Sequence, residues 1–112
     1  MTAVDTIIFP VADLKASKGV FTTLLGTEPH TDEPYYVGYH VDGQEFALDP
    51  SGHRKGLSGT VPFWHVDDLE ASSAALVAAG ATVVQQPTAV GGGRRTTVMA
   101  DADGNQFGLM QD

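Results

Sequence analysis

The sequence contains the same short pattern twice, about half a chain length apart. Residues 11–17 read V-A-D-L-K-A-S and residues 66–72 read V-D-D-L-E-A-S, so five of the seven positions are identical. A second pair follows in the same order, with D-G-Q-E-F-A-L at residues 42–48 and D-G-N-Q-F-G-L at residues 103–109. A repeat of this kind predicts one supersecondary unit that occurs twice in the chain.

Each half begins with the signals of a strand that leads into a helix. The segments T-I-I-F-P-V (6–11) and V-P-F-W-H-V (61–66) are rich in β-branched and aromatic residues, as strands are. Asp13 and Asp68 follow these segments and suit helix N-termini, because a short carboxylate accepts hydrogen bonds from the free N–H groups there. The helices are expected to end at two glycines, Gly26 and Gly80.

Further strands follow each predicted helix. In the first half, strands 35–41 and 45–48 are joined by Asp42-Gly43, the preferred pair for a two-residue hairpin turn. A third strand near E-P-H-T (28–31) has only a weak signal. The second half has predicted strands at 82–86, 95–100 and 106–110, the last two joined around Asp103-Gly104. The segment P-T-A-V-G-G-G-R-R (87–95) is predicted to be a loop.

These signals predict an α+β fold in one domain, residues 1–112, built of two tandem β-α-β-β-β modules. The first module covers about residues 1–52 and the second about residues 58–112. A single module would leave one face of its sheet bare, whereas two modules can pair their sheets around a shared interior. We therefore expect curled sheets around a cavity.

Composition restricts the classes of partner. The formal net charge is −8, from 14 acidic and 6 basic residues, which disfavours nucleic acid and anionic membranes. No apolar run is long enough for a membrane span. There are no cysteines and no recognisable signal peptide, and both observations favour a cytoplasmic protein.

The order of these motifs resembles the vicinal oxygen chelate superfamily. That group includes glyoxalase I, extradiol dioxygenases, fosfomycin-inactivating transferases and bleomycin-binding resistance proteins. The segment D-A-D-G-N-Q-F-G-L (101–109) is the most specific part, because it is similar to the D-P-D-G-N-x-x-E-L pattern of the superfamily. The resemblance implies paired β-α-β-β-β repeats of the ferredoxin-like type around a cavity, and a homodimer.

The resemblance also implies where a metal would lie. In metal-dependent members, one ligand comes from the first strand of each module and one from the last. In this sequence those four positions hold Thr6, Ala47, Val61 and Gly108. A divalent metal needs imidazole, carboxylate or thiolate donors, and none of the four residues carries one. We therefore expect a metal-free member that uses no cofactor.

Strand alternation identifies the other side chains that share a face with these four positions. They predict a cavity of aromatic, methionine and small residues with a few polar groups, as is typical of a small-molecule pocket. Small residues at the old metal positions are expected to widen it. The candidate ligand-binding residues are Tyr36, His40, Glu45, Ala47, Asp49, Phe63, His65, Met99, Gly108 and Met110, with Thr97 and Arg95 placed beside Met99.

These features favour a binding protein of the bleomycin-resistance type that sequesters an antibiotic or another partly aromatic metabolite without turnover. Aromatic stacking would supply affinity, and Glu45 and Asp49 would attract a cationic ligand. The alternative is a lyase, isomerase or hydrolase that uses His40, Glu45 or His65, with or without a displaced divalent metal. This alternative stays open because His40 and Glu45 are expected to be cross-strand neighbours. His30 and His53 are interpreted as turn and loop residues.

Overall fold

The computed structural model describes residues 3–112. The chain runs strand, helix and three strands, then a short connecting 3-10 helix, and then strand, helix and three strands again. This order confirms the predicted α+β fold of two β-α-β-β-β modules. The elements are β1 (Thr6–Pro10), α1 (Leu14–Leu25), β2 (Thr31–Glu33), β3 (Tyr36–Val41), β4 (Gln44–Asp49), a 3-10 turn (His53–Lys55), β5 (Val61–His65), α2 (Leu69–Ala78), β6 (Thr82–Gly91), β7 (Arg94–Ala100) and β8 (Gln106–Gln111).

All eight strands belong to one continuous sheet in the order β2-β3-β4-β1-β5-β8-β7-β6. Within each module the first strand runs parallel to the last, β1 beside β4 and β5 beside β8. The modules join where β1 pairs with β5 in antiparallel fashion, with Thr6 opposite Phe63 and Ile8 opposite Val61. The two modules therefore pair within a single chain, a choice that the sequence left open.

Both helices begin where the aspartates predict. The side chain of Asp13 accepts a hydrogen bond from the backbone N–H of Ala16 at 3.0 Å, and Asp68 accepts one from Ala71 at 3.0 Å. Helix α1 ends at Leu25 and is capped by the predicted Gly26, whose φ of 67° lies in the left-handed region where glycine is favoured. Helix α2 ends at Ala78, two residues before the predicted Gly80, and its C-cap is Ala79. Within residues 3–112, no helix has the length and apolar character that a membrane crossing requires.

The helices cover the outer face of the sheet, and each has its own buried cluster. Beneath α1 lie Val37, Tyr39 and Leu48. Tyr39 also bonds to the helix, because its hydroxyl donates to the carbonyl of Lys18 at 3.1 Å. The corresponding cluster beneath α2 consists of Leu69, Met99 and Leu109. The inner face of the curled sheet is not covered by a helix and borders a hollow.

The residues of the turn explain the hairpin between β3 and β4. Asp42 and Gly43 have φ of 49° and 81°, and this two-residue turn sets His40 opposite Glu45 as predicted.

The prediction of a loop at residues 87–95 is wrong over most of its length. Strand β6 continues to Gly91 and β7 starts at Arg94, and the pairing accommodates the extra residues through shifts of register. Bulges of this kind absorb insertions without breaking a strand pair.

The capping of α2 can be tested with adjacent aspartates. Asp68→Ala should lower the free energy of unfolding by about 1 kcal/mol, because the N–H of Ala71 loses its acceptor. Asp67→Ala is the matched control, since Asp67 is exposed and precedes the cap; its effect should stay within about 0.5 kcal/mol. Urea unfolding of the three proteins measures the difference. Equal effects of the two substitutions would contradict the capping role.

Candidate functional site

The inner face of the sheet borders a half-open hollow of about 800 Å³, to which both modules contribute. Its lining includes Thr6 and Ile8 from the central strand, together with the hairpin tip at Gly91 and Gly92. The extension of β6 that the sequence did not predict thus forms part of one wall. Six of the ten candidate residues line this hollow: Tyr36, His40, Glu45, Asp49, Phe63 and Met110.

The four superfamily metal positions lie together on the inner face of the sheet, but only Thr6 lines the hollow, because Ala47, Val61 and Gly108 are buried. Ile8 is the Cα partner of both Ala47 and Val61, and Phe63 is the partner of both Thr6 and Gly108. They do not all widen the space, however. A Cβ atom added to Gly108 would lie 2.2 Å from the ring of Phe63, so that ring occupies the room that a larger residue would need. The expectation of extra space is therefore wrong at Gly108.

Met99 does not line the hollow, and its predicted placement is wrong. Strand β7 pairs with β8 so that Thr96 lies opposite Met110 and Val98 lies opposite Gly108. Thr96, Val98 and Arg94 therefore share the inner face. Met99, Thr97 and Arg95 point to the outer face, where Met99 is fully buried beneath α2. The predicted register was wrong by one residue, and a shift of one residue moves a side chain to the opposite face.

Glu45 is the centre of a polar cluster on the wall of the hollow. The Tyr36 hydroxyl donates to Oε2 of Glu45 at 2.6 Å, and Nε2 of His30 donates to Oε1 at 2.8 Å. His40 lies opposite Glu45 across the hairpin, with Nδ1 3.8 Å from Oε1. The Glu45 side chain is only 19% exposed, whereas His30 and His40 are 46% and 59% exposed. The carboxylate is thus held inward while the imidazoles remain accessible.

A glycine makes room for this cluster. Gly38 lies between Tyr36 and His40 on β3, and a Cβ atom there would come within 2.7 Å of the Tyr36 ring and 2.9 Å of Oε2 of Glu45. It would also lie 3.3 Å from Nε2 of His30. The three side chains therefore meet over Gly38 because it has no side chain of its own.

His30 is the functional candidate that sequence reasoning missed. Its segment has a weak strand signal, yet its backbone N–H bonds to the carbonyl of Gly38 at 2.9 Å and extends the pairing of β2 with β3. The interpretation of His30 as a plain turn residue is wrong, because its ring contacts Glu45 directly. A glycine in the centre of β3 was the one available signal, since it indicates close approach of another group.

Asp49 lies at the hollow but is already paired. It is 8% exposed; Nζ of Lys55 donates to its Oδ2 at 2.7 Å and the N–H of Ser51 to its Oδ1 at 2.8 Å. The expectation that Asp49 offers a free charge to a cation is therefore wrong. Lys55, in the connection between the modules, neutralises it.

His65 lies at the end of β5 beside two carboxylates of the hollow. Its Nε2 is 3.3 Å from Asp5 and its Nδ1 is 3.7 Å from Asp112, so it contacts the lining rather than the centre of the hollow. Arg94 donates to Asp112 through Nε at 2.6 Å, and this hydrogen bond lowers the pKa of the Asp112 carboxyl. The group holds together the ends of β5, β7 and β8.

The family follows from a comparison of the whole chain. The sequence model of the family described as glyoxalase-like domain matches residues 5–110 of this chain. The chain belongs to the glyoxalase-like domain family. This result and the structural neighbours confirm the vicinal oxygen chelate superfamily that the motifs resemble.

Solved structures support the same fold at low sequence identity. A glyoxalase/bleomycin resistance protein/dioxygenase superfamily member from Vibrio splendidus has a TM-score of 0.72 and 20% identity over 96% of this chain and 97% of its own. An NAD-dependent benzaldehyde dehydrogenase structure from Legionella pneumophila has a TM-score of 0.76 and 17% identity, over 95% and 96%. Streptomyces coelicolor methylmalonyl-CoA epimerase, in complex with 2-nitronate-propionyl-CoA, has a TM-score of 0.69 and 20% identity over 100% of this chain and 98% of its own. No curated protein matches the chain significantly.

The superfamily metal does not fit this glyoxalase-like chain. Ala47, Val61 and Gly108 have no donor atom in their side chains. The hydroxyl of Thr6 donates to the carboxylate of Asp5 at 2.7 Å. The ring of Phe63 covers the place where a longer side chain at position 108 would project. The residues present at the four positions therefore cannot form the metal site of the superfamily.

The bond between Tyr36 and Glu45 should appear in the pH dependence of stability. Partial burial and the bond to the carboxylate raise the pKa of Tyr36 above its ordinary value of 10.0. The folded protein therefore retains the Tyr36 hydroxyl proton to a higher pH than the unfolded chain does. The resulting stability is fully present below about pH 10 and is lost as the pH rises further.

Tyr36→Phe should remove about 1 kcal/mol of stability near neutral pH and flatten the decline at alkaline pH. Tyr35→Phe is the control, because Tyr35 is 70% exposed and adjacent. Urea unfolding at about pH 8 and about pH 11 measures both effects. An unchanged alkaline slope in Tyr36→Phe would show that the bond does not hold the proton.

Proposed function

We propose that this glyoxalase-like protein binds a small, partly aromatic molecule in the hollow, without a metal at the four superfamily positions. The observation that carries the proposal is the hollow itself, whose volume of about 800 Å³ lies in the range of small-molecule pockets. It persists although the metal donors are absent. Binding by shape and burial is the function that such a space supports best.

The lining supplies apolar contact at the floor and aromatic contact at the mouth. Ile8, Phe63 and Met110 form the apolar floor, where Phe63 and Met110 are almost fully buried. Tyr35 lines the hollow and is 70% exposed, so its ring is available to stack on a ligand. Tyr36 and Glu45 add fixed polar groups on one wall. A flat aromatic ligand with one polar edge would fit this distribution.

The charges of the lining favour a neutral or cationic ligand. Four carboxylates line the hollow (Asp5, Glu45, Asp49 and Asp112), against the two cationic side chains of Lys55 and Arg94. Asp49 pairs with Lys55 and Asp112 with Arg94, so the excess negative charge lies at Asp5 and Glu45. The overall charge of −8 acts in the same direction. An anionic ligand would be repelled by both.

Turnover of the ligand is the second candidate, and the contact of Glu45 with His30 favours it. A carboxylate and an imidazole within hydrogen-bond reach of each other can move a proton to or from a bound molecule. The structurally similar protein from Streptomyces coelicolor is a methylmalonyl-CoA epimerase, but at 20% identity that activity does not transfer to this chain. Product analysis of any ligand found by binding separates the two candidates.

The homodimer that the resemblance implies remains a proposal. Size-exclusion chromatography with light scattering should give twice the chain mass of 11.8 kDa. A monomer at micromolar concentration would contradict it.

The hollow can be tested by filling it. We expect basic aromatic antibiotics, bleomycin among them, to raise the melting temperature in a concentration-dependent way, and acidic analogues to have a smaller effect. Thr96→Phe places a ring in the hollow and should weaken any such binding at least about tenfold, which is about 1.4 kcal/mol. Isothermal titration calorimetry measures the affinity.

Arg95→Phe is the matched control for this experiment. Arg95 is the adjacent residue on β7, but it points to the outer face and pairs with Glu70 at 2.7 Å. This variant should bind as the unmodified protein does, because an exposed ion pair contributes little to stability. If Thr96→Phe and the unmodified protein bind a ligand equally, the ligand does not occupy the hollow.

A further inference from the structure

Three donor groups converge at one edge of the hollow, away from the superfamily metal positions. One ring nitrogen of His30, one of His40 and one carboxylate oxygen of Glu45 all lie within 4.8 Å of one another. Among residues 3–112, no other group of three histidine or acidic side chains brings its donor atoms together in this way. His40 and Glu45 come from a paired hairpin, and His30 from the neighbouring strand connection.

The donor separations suit a small divalent ion. Around a tetrahedral Zn²⁺ with bonds of about 2.0–2.2 Å, neighbouring donors lie roughly 3.4 Å apart. The two separations measured to Oε1 of Glu45 are 2.8 Å from His30 and 3.8 Å from His40, on either side of that value. Both imidazoles are about half exposed, so small rotations of their side chains can equalise these distances.

The groups behind the donors are arranged as metal sites require. The Tyr36 hydroxyl bonds to Oε2 of Glu45 and leaves Oε1 directed at the histidines. The hydroxyl of Thr31 lies 3.0 Å from Nδ1 of His30, which orients the ring so that Nε2 faces Glu45. Such outer partners fix the orientation of ligands in metalloproteins and strengthen binding. Gly38 supplies the space in which His30 and Glu45 meet, with Tyr36 beside them.

We propose that His30, His40 and Glu45 form a Zn²⁺ site on the wall of the hollow. The ion replaces the hydrogen bond between His30 and Glu45 and is held by two imidazole nitrogens and one carboxylate oxygen. Three protein ligands leave a coordination position open, as in zinc sites that bind water or a substrate. Because His40 and Glu45 line the hollow, a ligand there with an oxygen or nitrogen donor can reach the ion.

This proposal does not rest on the proposed function. Zn²⁺ binding is measured without any organic ligand, and the filling of the hollow at Thr96 leaves the three donors in place. Failure of the zinc site would leave ligand binding in the hollow intact. Failure of ligand binding would likewise leave the zinc site intact.

The test is a Zn²⁺ titration of the full chain without an affinity tag, in competition with a chromophoric chelator. We expect one Zn²⁺ per chain. His30→Ala, His40→Ala and Glu45→Gln should each weaken binding by more than about 100-fold, the upper limit for loss of an outer partner. Tyr36→Phe removes only the group behind Glu45 and should weaken binding about tenfold.

His53→Ala is the matched control, because His53 is an exposed histidine of the 3-10 turn between the modules and is not part of the group. It should bind Zn²⁺ as the unmodified protein does. NMR of the imidazole rings gives a second measurement in the unmodified protein, so the test does not depend on folding of the variants. Zn²⁺ should shift the signals of His30 and His40 and leave those of His53 unchanged.

Three results would overturn the proposal. The first is the absence of saturable binding at one ion per chain. The second is equal affinity in the unmodified protein and in folded His30→Ala or His40→Ala. The third is a Zn²⁺-induced shift of the His53 or His65 ring without one at His30 and His40.

Discussion

The antiparallel pairing of β1 with β5 is the constraint on which the rest of the structure depends. Each of these strands is already bonded on its other side to the last strand of its own module. Their pairing therefore removes the exposed edges at β1 and β5 and leaves edges only at β2 and β6, and exposed edges promote aggregation. It also makes one sheet of eight strands whose helices lie on the outer face, so that the inner faces of both modules border a single hollow. The duplication in the sequence supplies the two equivalent first strands, β1 and β5, that pair in this way.

The parts of the fold that the sequence predicted are those governed by local chemistry. The caps at Asp13 and Asp68 and the turn at Asp42-Gly43 each involve neighbouring residues, and the turn fixes His40 opposite Glu45. The connection from β7 to β8 spans residues 101–105 and does not determine register in the same way. The error at Met99 arose because this connection leaves the register open. The sequence T-T-V-M is apolar enough on both faces of the strand to fit either register.

The parts of the site that the sequence could not predict depend on contacts between distant residues. His30 reaches Glu45 from a segment with little strand signal, and Lys55 reaches Asp49 from the connection between the modules. Arg94 reaches Asp112 only because β6 and β7 continue through a segment that reads as a loop. Each of these contacts changes the charge that the hollow presents. Periodicity predicts which face a side chain occupies, whereas the partner it meets there follows from the path of the backbone.

The comparison of positions 45 and 47 shows how this fold can separate shape from chemistry. On β4 these residues point to the same face, two positions apart, so a donor at either one faces the hollow. In this chain the superfamily position holds Ala47, and the carboxylate lies at Glu45, where Gly38 leaves space for His30 to meet it. In the second module the position equivalent to Ala47 holds Gly108, and the ring of Phe63 fills the space beside it. A polar group can thus move along a strand by one repeat of the pleat without a change in sheet pairing, so family membership determines the hollow but not the reaction or ligand within it.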